Sequence, residues 1–296
     1  MQQFPFGVVI HGGAGDLARY STTNRLSEAE VFLSQLVDSL YTSLDQGASA
    51  LDVVTQAATA LEDSGLFHAG KGSSPTSAGY VELDASIMEG NTLRAGSVAA
   101  VREVRNPILA ARHVMESTNH VLMVGAEADA LARNAGLETV DTSWFSPCDV
   151  SAGAWQVPDN SSTGTVGAVA LDVKGNLCAA TSTGGTLYKR AGRVGDSPII
   201  GAGTYARNTV AAVSCTGVGE YFIRESAAYQ VCSRVQLLGE NILAASGYVM
   251  SQIDKLGGSG GMIAIDSRGA FAMPYSTTGM YRAARNSVGN RIVACL

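Results

Sequence analysis

Between residues 163 and 219 the chain sets down four clusters of threonine, serine and glycine. They are Thr163-Gly164-Thr165-Val166-Gly167, Thr181-Ser182-Thr183-Gly184-Gly185, Gly192-Arg193-Val194-Gly195-Asp196-Ser197-Pro198 and Ser214-Cys215-Thr216-Gly217-Val218-Gly219-Glu220. Each borders a short apolar run that reads as a strand. One such cluster needs no more than the strand preference of threonine and the turn preference of glycine. Four in so short a span bring several strand ends to one pocket. Ahead of them, residues 140–164 carry Ser, Asp, Gly, Asn and two prolines with no apolar period. This reads as a linker of about 25 residues, and compact domains seldom keep so long a loop without a use.

Apolar periodicity places the remaining elements. A strand is expected at 6–10, ending in His11-Gly12-Gly13-Ala14-Gly15. Helices fit 27–46, with Ser27 as N-cap and Glu28 and Glu30 in an acidic first turn, and 50–62. A loop spans 62–77. Strands fit 80–88 and 95–103, then a helix starts at Pro107 and runs to 117. A strand at 121–124 and a helix at 125–135 follow. After the linker, strands at 165–171 and 177–182 form a hairpin through Lys174-Gly175-Asn176. Further strands fit 198–202, 209–215, 261–266 and 270–275, the last two joined by Ser267-Arg268-Gly269. Helices fit 219–237 and 239–256. Hairpins plus runs of helices indicate an α+β layered fold and not a βαβ repeat.

Composition removes several functions. A net charge of −6 argues against phosphate-driven nucleic-acid binding. Hydrophobic residues at 46% and charged residues at 16%, against about 25% charged in average proteins, argue against disorder. No run of 18 apolar residues reads as a membrane span, and no secretory signal is read at the N-terminus. The five cysteines (148, 178, 215, 232, 295) are scattered, which suits reduced thiols in a cytoplasm better than a disulfide scaffold or a zinc site. The histidines 11, 68, 113 and 120 lack metal-ligand spacing, and His11 reads first as a core residue. Gly13, Gly15 and Ala18 fit a loose dinucleotide loop without the βαβ unit it needs, so 12–15 reads as a turn or the backbone wall of a site. Gly257-Gly258-Ser259-Gly260-Gly261 has the letters of a nucleophile elbow but follows a helix and precedes a strand, the reverse order.

With these residues in view, the chain resembles the plant-type L-asparaginase and isoaspartyl peptidase family of N-terminal-nucleophile hydrolases. The resemblance rests on Thr165 heading Thr-Val-Gly-Ala-Val-Ala-Leu-Asp, on the Thr-Ser-Thr-Gly-Gly and Gly-Arg-Val-Gly-Asp-Ser-Pro runs, and on His11-Gly12-Gly13-Ala14-Gly15. Glu82-Leu83-Asp84-Ala85-Ser86-Ile87-Met88, Arg105-Asn106-Pro107, Gly257 to Gly261 and Gly279-Met280-Tyr281-Arg282 extend it over nearly the whole chain except the linker. It implies a four-layer αββα sandwich formed by one domain, 1–296. It also implies self-cleavage between Gly164 and Thr165, into fragments of 164 and 132 residues.

The resemblance carries over residue by residue. Thr165 matches the nucleophile, and Thr183 a threonine bonded near it. Arg193 matches the grip on the substrate α-carboxylate, and Asp196 the acceptor of the α-ammonium. Thr216 and Gly217 match the oxyanion hole, and Gly219 a further substrate-binding backbone position. Backbone carbonyls of Leu61, Glu62, Ser64, Phe67, Ala69 and Lys71 match a structural Na+ loop; no other cofactor is implied. The family's dimer of αβ pairs is implied as well, with a small molecule or dipeptide as substrate.

The chemistry stands without the family name. A freed N-terminal threonine carries its own base, an α-amine with a pKa of about 7.7–8.0. That fits a chain with no Ser/His/Asp constellation. A guanidinium suits a bidentate carboxylate. Three positions depart from the family: His68 where Asn is usual, Thr163 where His is frequent, and Thr186 where Met is frequent. They leave four readings open. The first is an amidohydrolase for β-aspartyl dipeptides and L-asparagine. The second is a narrower dipeptidase for β-Asp-Arg or β-Asp-Lys. The third is a glycosylasparaginase, which the Thr-Val-Gly-Ala start and the lack of a signal disfavour. The fourth is a non-catalytic binding protein, which an intact Thr165, Arg193, Asp196 and Thr216 set disfavours.

Overall fold

The computed structural model describes residues 5–146 and 164–296. Strands β1 (Gly7–Gly15), β2 (Leu83–Glu89), β3 (Ala95–Val101), β4 (Leu122–Val124), β5 (Thr165–Leu171) and β6 (Leu177–Thr183) join two C-terminal strands, β11 (Gly279–Asn286) and β12 (Arg291–Ala294). Together they form an eight-stranded sheet in the order β12-β11-β1-β5-β6-β2-β3-β4. A second sheet, in the order β10-β9-β8-β7, contains β7 (Thr204–Arg207), β8 (Ala211–Gly217), β9 (Gly260–Asp266) and β10 (Phe271–Ala272). Helices α1 (Arg25–Asp45), α2 (Ala50–Asp63), α3 (Pro107–Ser117) and α4 (Gly125–Asn134) lie on the outer face of the first sheet. The second sheet is covered by α6 (Ala227–Leu238) and α7 (Ile242–Lys255), which α5 (Gly219–Glu225) joins. The two sheets pack face to face, completing the expected αββα sandwich.

The strand period of two explains the layers. On β5, Val166, Ala168 and Ala170 pack with the helices, whereas Val169 and Leu171 pack with the second sheet. On β6, Cys178 and Ala180 face the helices, and Leu177 and Ala179 face inward. Continuing the alternation puts Thr165, Gly167, Thr181 and Thr183 on the inner face. There the sheets meet through a buried hydroxyl chain. His11 Nε2 lies 3.0 Å from Ser214 Oγ, which lies 2.7 Å from Thr181 Oγ1. Thr204 Oγ1 donates to Thr181 Oγ1, and Ser86 Oγ donates to the Ser197 carbonyl at 2.6 Å. His11 is thus a core residue as expected. Burial lowers its pKa to about 3, which keeps the imidazole neutral.

Several elements differ from the sequence expectation. The first strand runs on through 12–15, with a bulge between His11 and Gly13, instead of ending in a turn. It continues by pairing with β11 through Gly13, Ala14 and Gly15, and Phe67 fills the space a side chain at Gly12 would take. Helix α1 starts at Arg25 with Asn24 as N-cap, so Ser27 is no cap. The expected helix 219–237 breaks at Ser226, which adopts a left-handed φ of 47° without any glycine or proline to announce it. Residues 198–202 form turns and no strand; the amides of Ile199 and Gly203 fold back onto the Asp196 carbonyl, and the strand begins at Thr204. The strand expected at 270–275 shortens to two residues, since Pro274 has no amide to pair. Of the expected linker, 142–144 form a 3-10 turn and Phe145 is buried. Residues 147–163, including Cys148 and Thr163, lie outside the described residues. The four described cysteines are buried and unpaired.

Gly167 sets the spacing of the sheets next to Thr165. A Cβ there would press on Ser214 Oγ and come within 2.5 Å of His11 Nε2 and 3.0 Å of the Ala180 carbonyl. Gly167→Ala should therefore lower stability by about 1–3 kcal/mol, as overpacking does. Urea denaturation of the two proteins measures the difference.

Candidate active site

Thr165 and Thr183 are direct partners across the antiparallel β5–β6 pair. Thr165 Oγ1 donates to Thr183 Oγ1 at 3.1 Å, and Thr183 Oγ1 donates onward to the Gly164 carbonyl at 3.1 Å. The Gly185 amide donates to the same Thr183 oxygen at 2.9 Å. One hydroxyl thus joins the candidate nucleophile to the carbonyl immediately before it. Gly164 leaves no room for a side chain, because His68 Cβ would lie 2.5 Å from a Cβ placed there. His68 is itself braced: Nδ1 is 3.0 Å from Ser74 Oγ, and its carbonyl accepts the Gly184 amide at 2.8 Å.

Gly164, Thr165, Thr183, Gly185, Thr186, Arg193, Gly195, Asp196, Ser197 and Gly217 enclose one cavity of about 10 Å3, the room of a single water. Six residues to which the resemblance gives a role, Gly164, Thr165, Thr183, Arg193, Asp196 and Gly217, therefore converge, together with the departure Thr186. Thr216 and Gly219 flank this group without lining the cavity. Thr216 Oγ1 lies 3.4 Å from the Ala14 amide. Gly219 stands where any Cβ would come within 2.7 Å of Asp196 Oδ1.

Asp196 is buried, and its Oδ2 has no hydrogen-bond partner among the described residues. Burial raises its pKa to about 7, the Arg193 charge only partly opposing this. A cationic ligand group would fill that acceptor. Arg193 presents its Nε and Nη2 to the two oxygens of Glu220, at 2.9 and 2.8 Å. Glu220 is a residue the sequence reading quoted but gave no role. It holds the guanidinium plane by one edge and leaves the other toward the cavity side, where Nη1 approaches Gly195.

The loop 61–71 curls tightly, with left-handed Gly65 and Gly70. The carbonyls of Leu61, Phe67, Ala69 and Lys71 accept hydrogen bonds from Ser64, Ala69, Gly72 and Ser146. Each of these carbonyls has a second lone pair, and carbonyl oxygen is the donor type that hard cations take. Among the described residues no group of three His, Cys, Asp or Glu gathers as a metal site. Glu62 itself is buried under β6, where Ser182 Oγ donates to it at 2.6 Å and the Ile108 amide at 3.1 Å.

Comparison with known proteins fits this geometry. The asparaginase family model matches residues 3–157 and 147–294. The chain belongs to the asparaginase family. It is 46% identical over 294 residues to the isoaspartyl peptidase of Escherichia coli, covering 93% of this chain and 91% of that protein. It is 47% identical to the isoaspartyl peptidase of Salmonella typhimurium, over 93% and 94% of the two chains. The isoaspartyl peptidase/L-asparaginase of Danio rerio is 36% identical, over 94% and 91%. Membership in the asparaginase family makes the chain a hydrolase. No helix among its described residues is long and apolar enough to cross a membrane.

Asp196 supplies a pH test of the site. Unfolded, its carboxyl ionises near 3.8; folded, near 7. Within that window the native chain keeps a proton that the unfolded chain has lost, so stability falls as pH rises. The contribution is complete below the lower value and gone above the upper one. Asp196→Asn lacks it. The stability of the Asn variant relative to wild type should therefore climb across the window and level off above about 7. Urea titrations at a series of pH values check this, and a flat difference would contradict the burial argument.

Proposed function

We propose that the chain is a self-processing amidohydrolase that cleaves β-aspartyl (isoaspartyl) dipeptides and L-asparagine. The observation that carries this is the Thr165–Thr183–Gly164 arrangement. A hydroxyl poised beside its own preceding carbonyl, with a second hydroxyl donating to that carbonyl oxygen, suits an N-to-O acyl shift. Thr165 Oγ1 attacks the Gly164 carbonyl carbon while Thr183 supports the oxygen as charge develops. The bond from that carbon to the Thr165 nitrogen then breaks, and the proton lost by the hydroxyl ends on the nitrogen, leaving an ester. Water then hydrolyses the ester, giving fragments 1–164 and 165–296. The cavity supports this order. At about 10 Å3 it has no room for a dipeptide while Gly164 is in place. Release of the Gly164 end makes the space and frees the Thr165 α-amine.

In the processed enzyme the α-amine takes the Thr165 hydroxyl proton, being partly neutral near working pH. Oγ1 attacks the side-chain carbonyl of the bound aspartyl group. Thr216 and Gly217 stabilise the tetrahedral oxyanion. The leaving amine departs with a proton, and a β-aspartyl ester on Thr165 remains until water hydrolyses it. Arg193 grips the substrate α-carboxylate with the edge that Glu220 leaves free, and Asp196 accepts from the α-ammonium. Gly219 gives Asp196 space. A free amino-acid head group is thus read at one end, and the scissile amide lies beyond the β-carbon. A Na+ held by the carbonyls of Leu61, Glu62, Ser64, Phe67, Ala69 and Lys71 would brace the loop that carries His68; it supplies charge for structure alone. A dimer of αβ pairs and a cytoplasmic setting belong to the same proposal, the second supported by the unpaired buried cysteines.

Intact mass spectrometry tests the reading. Wild type should separate into two chains that part between Gly164 and Thr165. Thr165→Ala should stay one chain of 296 residues and lose at least about 10³-fold in kcat, in line with loss of a covalent nucleophile. Two chains from Thr165→Ala would defeat the mechanism.

A further inference from the structure

Residues 184–203 carry both Arg193 and Asp196, yet they contain no helix or strand. Gly184, Gly185, Gly192, Gly195, Gly201 and Gly203 would leave this segment loose on its own. It is tied instead to the acidic end of β2. Gly192 donates its amide to Glu82 Oε2 at 2.7 Å, and the other Glu82 oxygen accepts from Arg102 at 3.0 Å. Lys189 extends its ammonium to 3.5 Å from Asp84 Oδ2, with side chains 1% and 0% exposed. Asp84 is fixed in turn by the Ala100 amide at 2.8 Å. The lysine stem runs beneath Gly185, where a Cβ would meet Cδ at 2.5 Å and Nζ at 2.9 Å.

The register gives these ties their meaning. Asp84 pairs with Thr183, which pairs with Thr165. Leu83, Ala85 and Ile87 face the helices, so Asp84 faces inward. Nucleophile, its hydroxyl partner and the loop anchor therefore stand in one row across β5, β6 and β2. A buried charge pair is a poor source of stability, because desolvation offsets its attraction. Its role here is better read as placement. We infer that Glu82 and Asp84, acting through Gly192 and Lys189, are positioning residues that fix Arg193 and Asp196 at a set distance from Thr165, and so set the grip on the substrate's α-amino-α-carboxylate group. This rests on the roles proposed above for Thr165, Arg193 and Asp196.

The test uses the full-length chain, with two variants. Asp84→Asn/Lys189→Met removes both buried charges together, so that neither is left unpaired. Glu82→Met removes the Gly192 tether and leaves the buried pair intact, so it reads independently of whether the first variant folds. Chain cleavage by mass, melting temperature, kcat and KM for a β-aspartyl dipeptide, and inhibition by L-aspartate are measured. Cleaved, folded variants whose KM and aspartate inhibition constant both rise at least about tenfold, with kcat within about threefold of wild type, support the inference. Wild-type KM and aspartate inhibition, or a kcat that falls only with the folded fraction, would overturn it. An uncleaved, inactive wild type would instead defeat the underlying reading of Thr165, so the two failures are distinguishable.

Discussion

The site depends on one strand pairing, Thr165 opposite Thr183 on the inner face of the first sheet. A register slip of one residue on β5 would turn Thr165 to the helices and Val166 to the cavity. The hairpin holds the register through its turn. Asp172 accepts the Lys174 and Asn176 amides, and Gly175 takes a left-handed φ of 84°. The second sheet closes on the same strand at a distance Gly167 permits. Everything else in the site is brought to this pair: Gly164 by the chain, Gly217 by β8, Arg193 and Asp196 by the loop after β6.

Electrostatics divides the labour around it. The cavity is lined by Asp196, whose buried Oδ2 has no hydrogen-bond partner among the described residues, and by a guanidinium already held at one edge by Glu220. In the proposed function an amino-acid head group completes both. His11 is kept neutral by burial and belongs to the framework. Among the described residues the Thr165 hydroxyl bonds to the Thr183 hydroxyl and to no side-chain base. That suits a mechanism in which the base is the amine the cleavage creates.

Much of this was legible in the sequence. The β5–β6 hairpin, α2, α3 and the layered class follow from apolar period and turn residues. The clusters containing Thr165, Thr183, Asp196 and Gly217 mark the cavity because strand ends and the loop after β6 meet there. What was not legible has physical reasons. Strand β11 escapes the apolar pattern because Arg282 and Arg285 interrupt it, and β12 because it is a four-residue edge strand with exposed residues. The break at Ser226 has no propensity signal. The 198–202 run looks like a strand by composition, but Gly201 and Gly203 let it curl onto Asp196. The parts played by Glu220, Lys189 and Asp84 depend on contacts across 27 and 105 positions, which no local pattern displays.

In the proposed mechanism Thr165 Oγ1 carries the acyl group. Rapid mixing with a β-aspartyl dipeptide, acid quenching and mass analysis of the fragments tests it most directly. A transient aspartyl adduct is expected on the fragment that begins at Thr165, located at that residue by peptide mapping. Turnover without any adduct, or an adduct on another residue, would contradict it.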